Sequence, residues 1–234
     1  MDVILVPGLW LNASTWDQVV PLLADAGHRP HPLTLPGMEA KDADRSGIAL
    51  ADHVGAVVQA IDDAQEPALL VGHSAGCAIA YAALDARPDR IARIVLVGGW
   101  PAANGTPLLT GLPARDGEVL MPDWAEVGEE ANVVDFEPAQ LTAFYDAAIP
   151  VPEAVLTTPV RLVDERRYAV PATAVCPEYT AAQLREWIDS GESAVAELTR
   201  IRDVSYVDLP GGHWPQLTQP DRLGEVILTE AGRS

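Results

Sequence analysis

Lysine occurs once in this 234-residue chain, at position 41, and basic residues as a group are scarce. Fifteen Lys and Arg stand against 34 Asp and Glu, a formal charge of −19. Such a field repels phosphate backbones and anionic lipid surfaces, which argues against nucleic-acid or membrane-surface partners. Long apolar runs are missing too, and no stretch reaches the length of a membrane span. The start, Met1-Asp2-Val3-Ile4-Leu5-Val6, lacks the basic segment and long apolar stretch of a signal peptide. There are two cysteines, Cys77 and Cys176, without metal-ligand or disulfide-scaffold spacing. These absences predict a cytoplasmic protein with free thiols, a secreted form with one disulfide being the alternative. A small-molecule substrate and a monomer or homodimer are expected. A Walker loop and a Gly-x-Gly-x-x-Gly fingerprint are also absent. His28-Arg29-Pro30-His31 has helix-like ligand spacing, but Pro30 spoils the geometry. No metal and no cofactor are expected.

What is present is an alternation of short apolar runs with longer amphipathic ones. Val3 to Val6 is a compact run ending in Pro7-Gly8. Ser14 to Ala26 reads as a helix, with Ser14 as its cap and Gly27 as its stop. His31 to Leu35 suggests a second strand. Ile48 to Ile61 carries an apolar stripe of helical period through Leu50, Val54, Val57, Val58 and Ile61. Ala68 to Val71 reads as a buried strand, Ala75 to Ala86 as a small-residue helix, and Ile91 to Val97 as another apolar strand. This rhythm predicts an α/β protein with a mostly parallel central sheet and helices on both faces. It lapses between residues 98 and 163, where prolines, glycines and isolated aromatics leave one clear helix, around Pro138 to Ala148. That stretch is expected to be a small cap over the sheet's carboxyl edge, with residues 1–97 and 164–234 forming the core. The alternation resumes with a strand at Ala172 to Cys176 and a helix at Thr180 to Ser190. A strand at Val204 to Leu209 and a helix at Pro220 to Ala231 complete it.

The segment Leu69-Leu70-Val71-Gly72-His73-Ser74-Ala75-Gly76 carries the chemistry. A Gly-x-Ser-x-Gly pentapeptide alone is a weak signal, but here a strand precedes it and an Ala-rich helix follows. A strand turning sharply into a helix holds the central residue in a strained backbone conformation, and flanking glycines leave room for the close approach. Ser74 is then presented at the positive end of a helix, where the backbone N–H of Ala75 can donate to a developing oxyanion. With this context the chain resembles the α/β-hydrolase fold family, in particular its compact esterase and hydroxynitrile-lyase-like branch. The likeness is strongest over Val3–Trp16, Ala68–Leu84 and Asp208–Pro220. In that branch the first strand ends in His-Gly and the next residue supplies a second oxyanion donor. Here the pair is Pro7-Gly8, and the resemblance implies the backbone N–H of Leu9.

Among five histidines, His213 stands directly after an apolar run, in Leu209-Pro210-Gly211-Gly212-His213-Trp214. A loop at that sheet edge can swing an imidazole onto the serine as general base and then acid. The order, serine first and histidine last, also matches the family. His28, His31 and His53 read as structural, and His73 as pointing away from the serine. The resemblance implies an acid after the strand at Ala172–Cys176. Glu178 is the carboxylate at that turn, Asp164 is the alternative, and a Ser-His dyad without an acid is the third option. Trp10, Trp100, Trp124 and Trp214 could share one aromatic cleft, with Phe136, Phe144 and Tyr145 adding a lid wall. Trp16 and Trp187 read as packing residues.

A serine esterase acting through an acyl-enzyme is the leading expectation. A lyase or cyclase on the same scaffold is the second, although the hydroxynitrile lyases rely on an active-site lysine and the lone Lys41 sits in a polar loop. A binding protein that kept the fold is the third.

Overall fold

The computed structural model describes residues 1–233. Along the chain run β1 (Asp2–Val6), α1 (Val20–Asp25), β2 (Arg29–Pro32), α2 (Leu50–Asp63), β3 (Ala68–His73), α3 (Gly76–Ala86) and β4 (Ile91–Val97). Then come β5 (Ala114–Arg115), β6 (Glu118–Val119), α4 (Pro138–Ala147), β7 (Val151–Pro152) and α5 (Glu153–Thr157). The chain closes with β8 (Ala172–Cys176), α6 (Ala181–Ser190), β9 (Val204–Asp208), α7 (Pro215–Thr218) and α8 (Pro220–Ala231).

Six strands form one parallel sheet in the order β2-β1-β3-β4-β8-β9. Alternate side chains of each strand point to opposite faces. Ile4, Val6, Leu70, Ile94 and Leu96 join a core with α2, α3 and α6. Val3, Leu5, Leu69, Val71, Val95 and Val97 meet Trp16, α1 and α8 on the other face. Helices therefore cover both faces, and β1, β3 and β8 are buried along their whole length. Burying one such Leu, Ile or Val contributes about 1.5–3 kcal/mol, so this register is strongly fixed.

Topology places the site. The chain goes outward from β1 to β2, then returns to put β3 on the opposite side of β1. Loops leaving the carboxyl ends of β1 and β3 thus diverge, and a crevice opens between them. Val6 pairs with Gly72, so Pro7-Gly8-Leu9 and His73-Ser74 emerge side by side.

Three expectations need correction. The helix expected over Ser14–Ala26 is a 3-10 turn at Ala13–Trp16 followed by a separate α1. Pro21 lacks an N–H and forces a fresh start, so it occupies the first turn of α1 rather than a helix interior. Asn12, not Ser14, is the cap, its Oδ1 accepting from Ser14 N at 3.0 Å. Finally β2 lies at Arg29–Pro32, earlier than His31–Leu35. Its register is fixed by Asp2 on β1, whose carboxylate accepts from Arg29 at 2.8 and 2.9 Å and from His31 at 2.8 Å.

Residues 98–163 contain α4 at the expected place and an unforeseen antiparallel sheet, β5-β6-β7. The return to the core is fastened by buried Asp85 of α3, which accepts from the amides of Val163 and Asp164 at 2.8 and 2.9 Å. Buried Arg167 pairs with both Asp85 and Glu197. No helix among the described residues is long and apolar enough to cross a membrane.

Candidate active site

Ser74 sits at the tip of the β3–α3 turn with φ of +53°, a conformation rarely adopted outside glycine. Two glycines make the turn possible. A Cβ on Gly72 would stand 2.7 Å from the Cα of Cys77, and one on Gly76 would collide with the carbonyl of Pro7. Ser74 N donates to Val97 O at 2.8 Å, which pins the turn to β4. The side chain of Ser74 is left half-buried, facing a cleft of about 780 Å³.

His213 reaches the serine from the loop after β9. Its Nε2 lies 2.8 Å from Ser74 Oγ, and its Nδ1 lies 2.6 Å from Glu178 Oε1. A carboxylate only accepts, so Nδ1 carries the proton and Nε2 is left to accept from the serine hydroxyl. Glu178 stands on the turn after β8. Cys176 pairs with Asp208, so the turns carrying Glu178 and His213 leave neighbouring strand ends. Gly98, with φ of +59°, keeps the space beside this pair open; a Cβ there would stand 3.4 Å from His213 Nδ1. Asp164 lies elsewhere, capping the turn at Glu165–Ala169 and paired with Arg166.

Leu9 and Ala75 line the same cleft as Ser74, and their amides donate to no acceptor among the described residues. Trp10 follows with φ of +64°, its Nε1 donating to Val119 O at 3.1 Å.

His73 is fully buried and makes no hydrogen bond to Ser74; its Nε2 donates to the carbonyl of His213 at 2.8 Å. Burial, reinforced by the neighbouring His213 ring, pushes its imidazole down to about 3 and keeps it neutral. Its Nδ1 is buried without a partner. Two other histidines make structural contacts: Nε2 of buried His53 donates to Pro36 O at 2.9 Å, and His31 holds Asp2. Cys77 and Cys176 are free and buried; burial raises both thiols, Cys176 to about 12.

The four expected tryptophans all line the cleft. Trp214 stands edge-on to His213 at 4.9 Å and contacts Trp124 at 5.3 Å, and Trp124 meets Trp10 at 5.8 Å. Trp187, read as a packing residue, backs Trp100 at 6.1 Å and Tyr179 at 5.2 Å. Phe136 corrects the reading: it packs on Phe144 and Trp214 and lines a separate cavity of about 400 Å³ behind the cleft. Phe144 belongs to the same cluster. Sequence reasoning missed Glu129 and Asn132, which line the cleft from the cap. Nothing in their local pattern distinguishes them from other polar residues. Among the described residues no lysine or arginine lines the cleft, and Lys41 is exposed away from it. The described residues also hold no group of three or more His, Cys, Asp or Glu able to bind a metal.

The profile of the alpha/beta hydrolase family matches residues 3–226. The chain belongs to that family. A pyrethroid hydrolase from Sphingobium wenxiniae is 25% identical over 241 residues, spanning 97% of this chain and 86% of that protein. An extracellular alpha/beta-hydrolase from a Paenibacillus species superposes with a TM-score of 0.80 at 20% identity, all of both chains being covered. An Arabidopsis methylesterase gives 0.74 at 15% identity, again over the whole of both chains. At these identities the two structures speak for the fold, which agrees with the family profile.

Proposed function

We propose that this α/β hydrolase is a serine esterase that cleaves a small or aromatic carboxylic ester, thioester or lactone through an acyl-enzyme on Ser74. The observation that carries the reading is the unbroken relay from Ser74 Oγ to His213 to Glu178, at 2.8 and 2.6 Å, beside two free amides. The pyrethroid hydrolase relative, by its name, is in keeping with such chemistry.

In the first step Ser74 Oγ bonds to the substrate carbonyl carbon while its proton passes to His213 Nε2. The carbonyl electron pair moves onto oxygen, and the amides of Leu9 and Ala75 donate to that oxyanion. Donors fixed in advance act here without reorganising, and each is worth about 2.7–4 kcal/mol in related sites. Glu178 accepts from Nδ1 throughout, holding the tautomer and stabilising the imidazolium. Collapse of the intermediate expels the alcohol, which takes the proton from Nε2. Water then repeats the sequence on the acyl-enzyme and releases the acid. The aromatic walls suit flat, apolar groups, and the charged groups facing the cleft are Glu129 and Glu178, which favours a neutral substrate and hastens departure of the ionised acid.

A fluorophosphonate probe is expected to label Ser74, and Ser74→Ala is expected to abolish both labelling and turnover of p-nitrophenyl acetate. Turnover unchanged in Ser74→Ala would refute the reading.

A further inference from the structure

The loop that carries His213 is gripped by the cap. His213 N donates to the carbonyl of Asn132 at 2.7 Å. Asp135, three residues further along the same cap segment, reaches past the base to the chain beyond it. Its Oδ2 accepts from Thr218 Oγ1 at 2.8 Å and from Gln219 Nε2 at 3.3 Å. Gln219 Nε2 also donates to Pro210 O at 3.0 Å, so one carboxylate ties together the residues on both sides of His213. On the far side, Gly211 N donates to Pro177 O at 3.2 Å, next to Glu178.

The two residues before the base complete the pattern. A Cβ on Gly211 would stand 2.7 Å from Asp135 Oδ2, and one on Gly212 would stand 2.5 Å from Asn132 O and closer still to Asp135 Oδ1. The space that side chains would occupy beside the base is filled by the Gln219 amide and the Asp135 carboxylate that holds it, with the Asn132 carbonyl beside Gly212. Moreover, Asp135 Oδ1 is buried with no donor. A fold that needed only a tether could use a smaller polar group here; a half-buried carboxylate whose Oδ1 is shielded from solvent and unpaired is a local cost of the sort that collects at functional sites.

We propose that Asp135 is a positioning residue for the reaction: from the cap, it holds the His213 loop so that the imidazole bridges Ser74 and Glu178. The inference rests on the serine-esterase reading for its kinetic consequence. Its structural core, that Asp135 maintains the His213–Glu178 hydrogen bond, stands apart from that reading. Asp135 touches no reacting atom and acts through Thr218, Gln219 and the glycine pair. A base displaced by about an ångström costs on the order of a hundredfold in rate, while substrate binding is left to the tryptophans.

The test has two arms. In steady-state kinetics with p-nitrophenyl acetate, Asp135→Ala is expected to lower kcat by roughly ten- to a hundredfold with KM within about twofold. Asp135→Asn keeps an acceptor for Thr218 and is expected to return to within about threefold of the native kcat. Thr218→Val should lower kcat in the native background and add nothing in Asp135→Ala. If Asp135→Ala fails to fold, Asp135→Asn and Thr218→Val carry the comparison. The second arm needs no turnover: the low-field proton resonance of His213 Nδ1–H should be present in Ser74→Ala and lost or broadened when Asp135→Ala is added. Absence of any ester turnover with the resonance behaving so would fail the esterase reading and leave the positioning role standing. A folded Asp135→Ala with native kcat and an unchanged resonance would overturn the inference. Equal losses in Asp135→Ala and Asp135→Asn with KM and kcat falling together would overturn it too.

Discussion

The sheet core and the cap at residues 98–163 solve different problems with different residues. In the core, the central strands β1, β3, β4 and β8 are largely apolar and buried, their neighbours fix their register, and Ser74, His213 and Glu178 stand on turns that leave strands of this sheet. In the cap, strands are two residues long. Every exposed large hydrophobic among the described residues, from Leu109 to Val163, lies there as well. The difference teaches a division of labour: the core holds Ser74, His213 and Glu178 within hydrogen-bond reach of one another, and residues 98–163 add Trp100, Trp124, Glu129 and Asn132 to a cleft that Trp10 and Trp214 also line.

That division can be broken most severely in the relay. His213→Ala should lower kcat on the order of 10⁴-fold or more, and Glu178→Gln on the order of 10²- to 10⁴-fold, with the circular dichroism spectrum of the native protein. Next come substitutions that separate stability from substrate use. Trp16→Ala, at a fully buried core site, should cost about 3–5 kcal/mol in urea unfolding. Trp124→Ala in the cap should cost far less and raise KM for an aromatic ester by roughly tenfold, about 1.4 kcal/mol of binding. If Trp124→Ala instead unfolds the protein while KM of any survivor is native, the cap is core by another name.

Acid sensitivity belongs to the core as well. His73 stays neutral in the folded protein down to about 3, whereas in the unfolded chain it protonates below its ordinary value of 6.5. The unfolded state therefore binds the extra proton, and stability falls as pH drops from 6.5 toward 3, by at most about 1.4 kcal/mol per unit. His53, also lowered by burial, acts in the same direction. His73→Gln should flatten the plot of Tm against pH over that window; an unchanged slope would remove His73 from the account. The smallest effect expected concerns charge. With Glu129 and Glu178 facing the cleft, p-nitrophenyl hemisuccinate should be cleaved a few-fold less efficiently than the neutral butyrate ester, and salt should narrow the gap. Equal rates at low ionic strength would mean that the acyl group does not lie near either carboxylate.

Legibility followed the same line between core and cap. Val3–Val6 and Ile91–Val97 were readable because a strand buried on both faces is mostly apolar, the one exception in the second, Arg93, being paired with Thr173 and Glu230, and α8 because Pro220 opens it. The edge strand β2 was misplaced because it reads Arg-Pro-His-Pro; its position depends on a salt bridge to Asp2 that no local pattern encodes. Pro21 did signal a break, yet the apolar period continued through it. In the cap, two-residue strands have no period to read. Around the site, Ser74 was legible from its flanking glycines between a strand and a helix, and His213 from its place after an apolar run and late in the chain order. Glu178 stood out only as the carboxylate at its turn, and Asp135 not at all, since its partners lie 83 and 84 residues away. Phe136 was assigned to the cleft on residue type alone, and packing placed it behind Trp214.

The central claim is that the Ser74 oxygen works inside a preformed oxyanion site with His213 as its proton carrier. A crystal structure of the fluorophosphonate adduct tests it directly. The account predicts phosphorus bonded to Ser74 Oγ, one phosphoryl oxygen within about 3 Å of both the Leu9 and Ala75 amides, and His213 Nε2 still within reach of the serine oxygen. An adduct on another residue, or a phosphoryl oxygen turned away from both amides, would contradict it.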